Sequence, residues 1–266
     1  MKHKPRKRFG QNFLHDAGII HQIVFAISPQ NNDSIVEIGP GQGALTGPIL
    51  EQTGKIQVVE LDRDLIPLLE ENLSGKGELT VHSADALKFD FSQLSSKNHD
   101  LRIIGNLPYN ISTPLLFHLT SFLPIIKDMH FMLQKEVVDR IVAKPNTKAY
   151  GRLGVMLQYY CSVEKLFIVK PGAFFPPPKV DSAIVRLIPH EKPLVEVKNE
   201  KIFSKVVTQC FMMRRKTLRN NLKESLSESE IESVGINPGC RSETLTIGQF
   251  AALANLVTDK IESETN

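Results

Sequence analysis

No window of the 266-residue chain approaches eighteen consecutive apolar residues, which excludes a membrane-spanning helix. Cysteine is scarce. Cys161, Cys210 and Cys240 are an odd, widely spaced set with no CxxC pair, so the usual zinc patterns and a disulfide framework are excluded and a reducing cytoplasm is expected. The eight histidines form no HxH or HxxxH pair, and no metal site is expected. The first residues, MKHKPRKRFG, are basic but have no apolar segment behind them, so a secretory signal is not expected. Internal repeats and low-complexity segments are also lacking.

What is present is an ordinary soluble composition, 41% apolar, on a chain long enough for one large domain and a small one. The net charge of +3 is modest but unevenly placed. Lys2, Lys4, Arg6, Lys7 and Arg8 crowd the start, and Arg214, Arg215, Lys216, Arg219 and Lys223 crowd a later stretch. A single basic tail is commonly a solvated arm; two clusters in a nearly balanced protein point to a polyanion.

Hydrophobic patterning orders the chain. DAGIIHQIVFAI (16–27) has helical spacing. Strands are expected at SIVEI (34–38), IQVVEL (56–61), LTVH (79–82), LRIIG (101–105) and MHFMLQ (129–134). Helices are expected between them, one opening within residues 44–52, one over 62–73 with Asp62 as N-cap, and one with Pro114 at its first position. KEVVDRIVAK and RLGVMLQYYC read as helices, and SVEKLFIVK and VDSAIVRLI as two late strands able to pair. Such alternation predicts an α/β fold with a mostly parallel sheet and helices on both faces. The proline-bearing IPHEKPL (188–194) marks a boundary, beyond which the pattern is helical, predicting a small all-α C-terminal domain.

VEIGPGQGALT sets Gly39, Gly41 and Gly43 between a strand and a helix, where glycine permits a sharp turn and close approach to a ligand. Gly39, Gly41 and Ala44 also satisfy the dinucleotide pattern GxGxxG/A, with Glu60 about twenty residues on to hold a ribose diol. Two features favour S-adenosylmethionine over a nicotinamide cofactor. Glu37 lies inside the first strand, and a buried carboxylate requires a partner such as a loop amide or a cationic sulfonium compound. Asp85 follows the third strand, where it either accepts from an adenine amino group or merely caps a helix. Acids at the ends of successive parallel strands converge on one crevice.

At the end of the fourth strand stands RIIGNLPYNIST (102–113), an apolar-aromatic tip flanked by asparagines. With QNFL (11–14), VEIGPGQGALT, VELD, ADAL, NLPYNIST, PGAFFPPPKVDSAIVRL (171–187) and CFMMRRKTLRNNL (210–222) in order, the chain resembles the ribosomal RNA adenine N6-dimethyltransferases of the KsgA/RsmA family over nearly its whole length. The resemblance implies a Rossmann-like class I methyltransferase sheet and S-adenosyl-L-methionine as methyl donor. It further implies that two neighbouring adenosines near the 3′ end of 16S rRNA, within the small subunit or its assembly intermediate, become N6,N6-dimethyladenosine. It implies a basic arm and cofactor-covering segment over 1–15, a methyltransferase domain over 16–189 and a helical RNA-binding domain over 190–266. Carried over by motif, Asn12 and Leu14 would close over the cofactor with Gln11 beside them. Gly39, within the Gly41-bearing loop, would approach its methionine part, Glu60 the ribose, Asp85 the adenine, and Asn106 would sit between cofactor and target base. A cytoplasmic monomer acting on ribosomes, without a membrane partner, is expected.

The chemistry asked of residues 106–109 is orientation. Adenine N6 is a poor nucleophile because its lone pair is delocalised, whereas a sulfonium methyl is already activated. Two acceptors aimed at the N6 hydrogens would favour a pyramidal nitrogen: Asn106 Oδ1 and the carbonyl of Leu107 or Pro108. Pro108 restricts Leu107 to an extended conformation, and Tyr109 offers a stacking face. Phe174 and Phe175 are either a second aromatic wall or core. Arg215 and Arg219, four apart, would share a helix face with Lys216 and Lys223 nearby, suited to phosphates unless that face is simply solvated. Rival readings are a 23S rRNA methyltransferase of the Erm type, a non-catalytic assembly factor, and a nicotinamide-dependent oxidoreductase.

Overall fold

Short β-branched runs broken by glycine-bearing turns form the strands of a doubly wound α/β sheet. In the computed structural model the described residues are 11–31, 33–95 and 99–265. The strands are β1 (Phe13–Leu14), β2 (Ser34–Ile38), β3 (Lys55–Glu60), β4 (Glu78–Ser83), β5 (Leu101–Asn106), β6 (Ile126–Gln134), β7 (Cys161–Val169), β8 (Phe174–Phe175) and β9 (Ser182–Pro189). The helices are α1 (Ala17–Ile27), α2 (Thr46–Thr53), α3 (Ile66–Leu73), α4 (Ser112–Leu119), α5 (Lys135–Ile141), α6 (Arg152–Tyr160), α7 (Glu200–Met212), α8 (Leu218–Leu222), α9 (Glu228–Ser233) and α10 (Ile247–Thr265). Seven strands join in the order β4-β3-β2-β5-β6-β9-β7, and β1 pairs separately with β8. The β2, β3, β4, β5 and β6 pairings are parallel, while β9 runs antiparallel to β6. Sequence neighbours β3 and β4 lie to one side of β2, and β5 and β6 to the other. The strand order therefore reverses between β2 and β5, and a crevice opens at the carboxyl ends of those two strands.

Gly105 makes that junction possible. A Cβ there would lie 2.5 Å from the Ile38 carbonyl oxygen, so only glycine lets β5 approach β2 so closely. β5 does not stop at this glycine, as the pattern suggested, but continues to Asn106.

The strand ends opposite the crevice are tied down by charge. Arg102 of β5 is buried and sends Nε to both oxygens of Asp128 at 3.1 Å and Nη1 to Asp33 at 2.5 Å. Its remaining donors reach the Ile27 and Ser28 carbonyls at 2.6 and 3.3 Å. These carbonyls close α1, so one guanidinium staples the C-terminus of α1 to the sheet. Burial alone would raise Asp33 and Asp128. Bonds to Arg102 and Gln30 in the first, and to His130 and Arg102 in the second, outweigh it and lower both. Because α1 directly follows β1, this network fixes the far end of the helix that leads out of residues 11–14.

The described residues form two compact units, one of those up to Val138 with Glu164–Pro189, the other of Asp139–Val163 with those from His190 onward. The second unit thus reaches back to take in α6, which residue periodicity groups with the sheet. Within that unit Arg214 holds the loop before α6 through the Lys148 and Tyr150 carbonyls, at 2.9 and 3.2 Å. Two helix starts also differ from expectation. α3 opens at Ile66 with Pro67 in its first turn, where a missing N–H costs nothing, so Asp62 is not its N-cap. α4 opens at Ser112, which makes Pro114 its third residue. No helix among the described residues is long and apolar enough to cross a membrane.

Replacing Arg102 by Met leaves Asp33 and Asp128 buried without their cation. Denaturant unfolding at neutral pH should show a loss of about 3–5 kcal/mol. A loss under about 1 kcal/mol would mean that the network does not hold α1 to the sheet.

Candidate active site

The crevice is a cavity of about 340 Å³. Its walls are residues 11–14, the glycine loop after β2, the ends of β3 and β4, and residues 106–111 after β5. Among the described residues its lining holds the carboxylates Glu37, Glu60 and Asp85 and no lysine or arginine. No group of three metal-binding side chains occurs among the described residues.

The glycine loop is shaped by backbone conformation and close packing. Gly41 has φ +58°, and a Cβ there would sit 3.1 Å from the Phe13 ring; Gly43 has φ +87°, with Leu69 at 3.0 Å. At both positions a positive φ favours glycine, and a side chain would press on its neighbour. The Gly39 N–H donates to the Val59 carbonyl at 2.9 Å, fastening the loop to β3.

Glu37 is buried, and within the protein its partner is a side-chain hydroxyl rather than the loop amide expected from the sequence. The Thr46 hydroxyl, at the first position of α2, donates to Oε2 at 2.6 Å. Glu60 ends β3 and is aimed by two backbone donors, the Asp62 N–H at 2.7 Å and the Gly41 N–H at 3.4 Å. Asp85 is half-buried; it accepts from the Leu87 N–H at 3.0 Å through one oxygen, and so serves a turn while lining the cavity.

Residues 11–14 cover the opening. Gln11 Nε2 donates to Asp62 Oδ2 at 2.9 Å, which gives Asp62 a latching role that its sequence position did not reveal. Phe13 rests on Gly41, and Leu14 is buried. β1 pairs antiparallel with β8, Phe13 opposite Phe175 and Leu14 opposite Phe174, and the His15 N–H donates to the Ala173 carbonyl at 3.0 Å. The basic residues from Lys2 to Arg8 lie outside the described residues.

The loop after β5 is hung from its neighbours. The Leu107 N–H donates to the Met132 carbonyl at 3.1 Å, and the Ile111 N–H to the Pro108 carbonyl at 3.2 Å. The turn uses one lone pair of the Pro108 carbonyl, so of the two candidates Leu107 is the less engaged acceptor. Asn106 Nδ2 donates to the Asn12 carbonyl at 3.0 Å, which commits the donor side of the amide and leaves Oδ1 as the acceptor for the cavity. Tyr109 is half-buried with its hydroxyl 2.8 Å from Ser182 Oγ. Asn110 is exposed at the rim and, among the described residues, makes no side-chain bond that would hold the loop.

The phenylalanine expectation requires correction. Phe174 is 3% exposed, packs in the core with Leu14 and Ile104, and offers no face to the cavity. Phe175 is 64% exposed but does not line the cavity either. Successive strand residues point to opposite faces, so the two rings could not share one wall. The shared helix face of Arg215 and Arg219 is also corrected. α7 ends at Met212, the chain turns through Met213–Lys216, and α8 starts at Leu218. Arg214 is a staple within its own unit and pairs with Glu243, Arg219 pairs with Glu228, and Lys223 with Glu224. Arg215 and Lys216 are exposed and have no side-chain partner among the described residues.

The family model for ribosomal RNA adenine dimethylase matches residues 2–259. Curated relatives include ribosomal RNA small subunit methyltransferase A of Acinetobacter baylyi, 57% identical over 95% of this chain and 92% of its own length. The Marinomonas protein of the same name is 56% identical over 97% of each. Among solved structures, a dimethyladenosine transferase from Plasmodium falciparum is similar with a TM-score of 0.78 at 28% identity, covering 91% of this chain and 95% of that one. The 23S rRNA methyltransferase ErmE follows at 0.72 and 26%, covering 93% and 100%.

Glu37 gives the cavity a pH signature. Burial pushes it up to about 7 from an ordinary 4.5, the Thr46 bond opposing and the Glu60 charge adding. The folded protein holds this proton where the unfolded chain has released it. Its contribution is therefore complete below about pH 4.5 and is lost as pH rises to about 7. Denaturant unfolding of parent and Glu37→Gln should diverge across that window, the parent losing stability relative to the variant as pH increases. Parallel curves would mean that Glu37 is ionised throughout.

Proposed function

The chain belongs to the ribosomal RNA adenine dimethylase family, and from that membership we propose its specific reaction. It dimethylates N6 of two adjacent adenosines in the hairpin loop near the 3′ end of 16S rRNA, in the small subunit or an assembly intermediate, using S-adenosyl-L-methionine. The observation that carries this reading is the Asn106 amide, turned by the Asn12 carbonyl so that its oxygen and the Leu107 carbonyl are the acceptors beside the Tyr109 ring.

The residues present fit the cofactor. Three carboxylates without a lysine or arginine among the described lining residues suit a ligand that carries positive charge. The Gly39–Gly43 loop would take the methionine part, Glu60 the ribose hydroxyls and Asp85 the adenine amino group, with Glu37 below and Gln11, Asn12 and Leu14 above. Bound there, the cofactor supplies a methyl already activated by the sulfonium charge, so no strong base is required of the protein. Asn106 Oδ1 and the Leu107 carbonyl accept the N6 hydrogens and turn the lone pair toward the methyl. Tyr109 offers a stacking face that offsets part of the cost of extruding the base, a few kcal/mol. Fixed orientation of this kind can lower the barrier by several kcal/mol, on the order of what proximity effects supply.

Arg215 and Lys216, unengaged at the turn between α7 and α8, are the preferred phosphate contacts; Arg214, Arg219 and Lys223 are already spent on carbonyls or carboxylates. The chain is proposed to act as a monomer. Ribosomal substrate and free buried thiols at Cys161 and Cys210 favour the cytoplasm. A role in small-subunit biogenesis accompanies this substrate.

Incubation with labelled methyl donor and unmethylated small subunits, naked 16S rRNA or 23S rRNA, followed by base mapping, tests the reading. Two adjacent dimethyladenosines near the 16S 3′ end are expected; label confined to 23S rRNA would assign the activity to the large subunit. Arg215→Glu with Lys216→Glu should weaken subunit binding and lower its salt slope by roughly one for each phosphate no longer neutralised, with cofactor affinity intact. An unchanged slope would remove these residues from the RNA interface.

A further inference from the structure

Tyr109 carries a group that stacking does not require. A phenylalanine would offer the same flat face, yet here a half-buried phenol hydroxyl meets Ser182 Oγ at 2.8 Å. A buried phenol needs such a partner, and the partner in turn fixes the ring tip. Ser182 is itself held within the sheet. It is 1% exposed, opens β9 and pairs with Gln134 of β6. The preceding Asp181 carbonyl accepts the Lys135 N–H at 2.9 Å. The backbone of the same loop hangs from β6 through Leu107 and Met132. Ring tip and loop backbone are thus both referred to the β6–β9 pair, which stands beside the strand that ends in Asn106. Burial raises the Tyr109 phenol above its ordinary value, the Ser182 bond opposing, so the hydroxyl stays protonated at working pH.

The two methyl transfers ask different things of this site. In each, the N6 lone pair forms the new C–N bond, the S–C electron pair is left on sulfur, and one N6 proton is released to water. An unmethylated N6 presents two N–H bonds, one for Asn106 Oδ1 and one for the Leu107 carbonyl. After the first transfer a methyl replaces one of those hydrogens. One hydrogen bond is gone, and orientation falls more heavily on the aromatic face.

We propose that Ser182 is a positioning residue for the second transfer: by anchoring the Tyr109 ring it keeps singly methylated adenine in line when only one acceptor bond remains. The inference rests on the reading of residues 106–109 as the base-binding loop.

Single-turnover methylation of unmethylated small subunits, with quantitation of mono- and dimethyladenosine, tests it in parent, Ser182→Ala, Tyr109→Phe and the double variant. Ser182→Ala should slow the second step about fivefold, the equivalent of one neutral hydrogen bond, and the first less than about twofold, so that monomethyladenosine accumulates. Tyr109→Phe removes the same bond from the other side and should match it, and the double variant should be no worse than either. Asn106→Ala should do the opposite, slowing the first step at least as much as the second. Without cofactor, 2-aminopurine at the target position should be less quenched by Ser182→Ala than by parent. Equal slowing of both steps, additive losses in the double variant, or unchanged quenching would overturn the proposal. Should Ser182→Ala fail to fold, Tyr109→Phe alone decides by the same product ratio. A parent that forms neither product overturns the catalytic reading, and this inference with it.

Discussion

The hydrogen bond from Asn106 Nδ2 to the Asn12 carbonyl is the constraint on which the site turns. An amide side chain presents a donor end and an acceptor end, and using one in a fixed direction determines the other. The covering segment therefore does more than shut the cavity: its backbone decides that Asn106 shows an oxygen to the base. For the bond to exist, Asn12 must lie in one place, and the fold secures it from both sides. Gln11 is latched to Asp62, Phe13 lies on a glycine that a side chain would displace, and Leu14 is zipped to Phe174. Behind them α1 is pinned by Arg102 at the opposite end of the sheet. A buried guanidinium far from the crevice is in this sense part of the machinery that orients one amide.

Electrostatics supports the same division of labour. Glu37 and Glu60 both lie above the ordinary carboxylate range because burial penalises their charge. Each is kept from rising further by nearby donors, the Thr46 hydroxyl of the helix after the glycine loop for Glu37, and for Glu60 the Asp62 N–H just beyond β3 and the Gly41 N–H of the loop. A cavity lined by acids that are costly to ionise becomes more favourable when a cation enters, so the site is poised for a positive ligand rather than neutral to it. The family to which the chain belongs uses such a ligand.

Much of this was legible in the sequence where a local rule governs. Gly39 to Gly43 read as a turn because glycines between a strand and a helix take left-handed backbone angles without strain, and Glu60 and Asp85 followed from strand ends converging on one crevice. What could not be read depended on pairing across distance or on a break in periodicity. Ser182 meets Tyr109 across 73 residues, and no spacing rule joins them. Phe174 and Phe175 looked alike in composition, but strand alternation buries one and exposes the other once β8 pairs with β1. Arg215 and Arg219 had helical spacing without a helix, because the chain turns at Met213–Lys216 between α7 and α8. Asp62 had the chemistry of a cap and was drawn instead to Gln11.

Amide hydrogen exchange over residues 12–15 in the parent and in Asn106→Asp tests the central coupling most directly. Aspartate keeps an acceptor for the base but has no N–H for the Asn12 carbonyl. The account predicts faster exchange at Phe13, Leu14 and His15 together with loss of methylation, while the melting temperature stays near that of the parent. Unchanged protection of these amides in a variant that has lost activity would show that the covering segment and the acceptor are held independently, and would contradict the account.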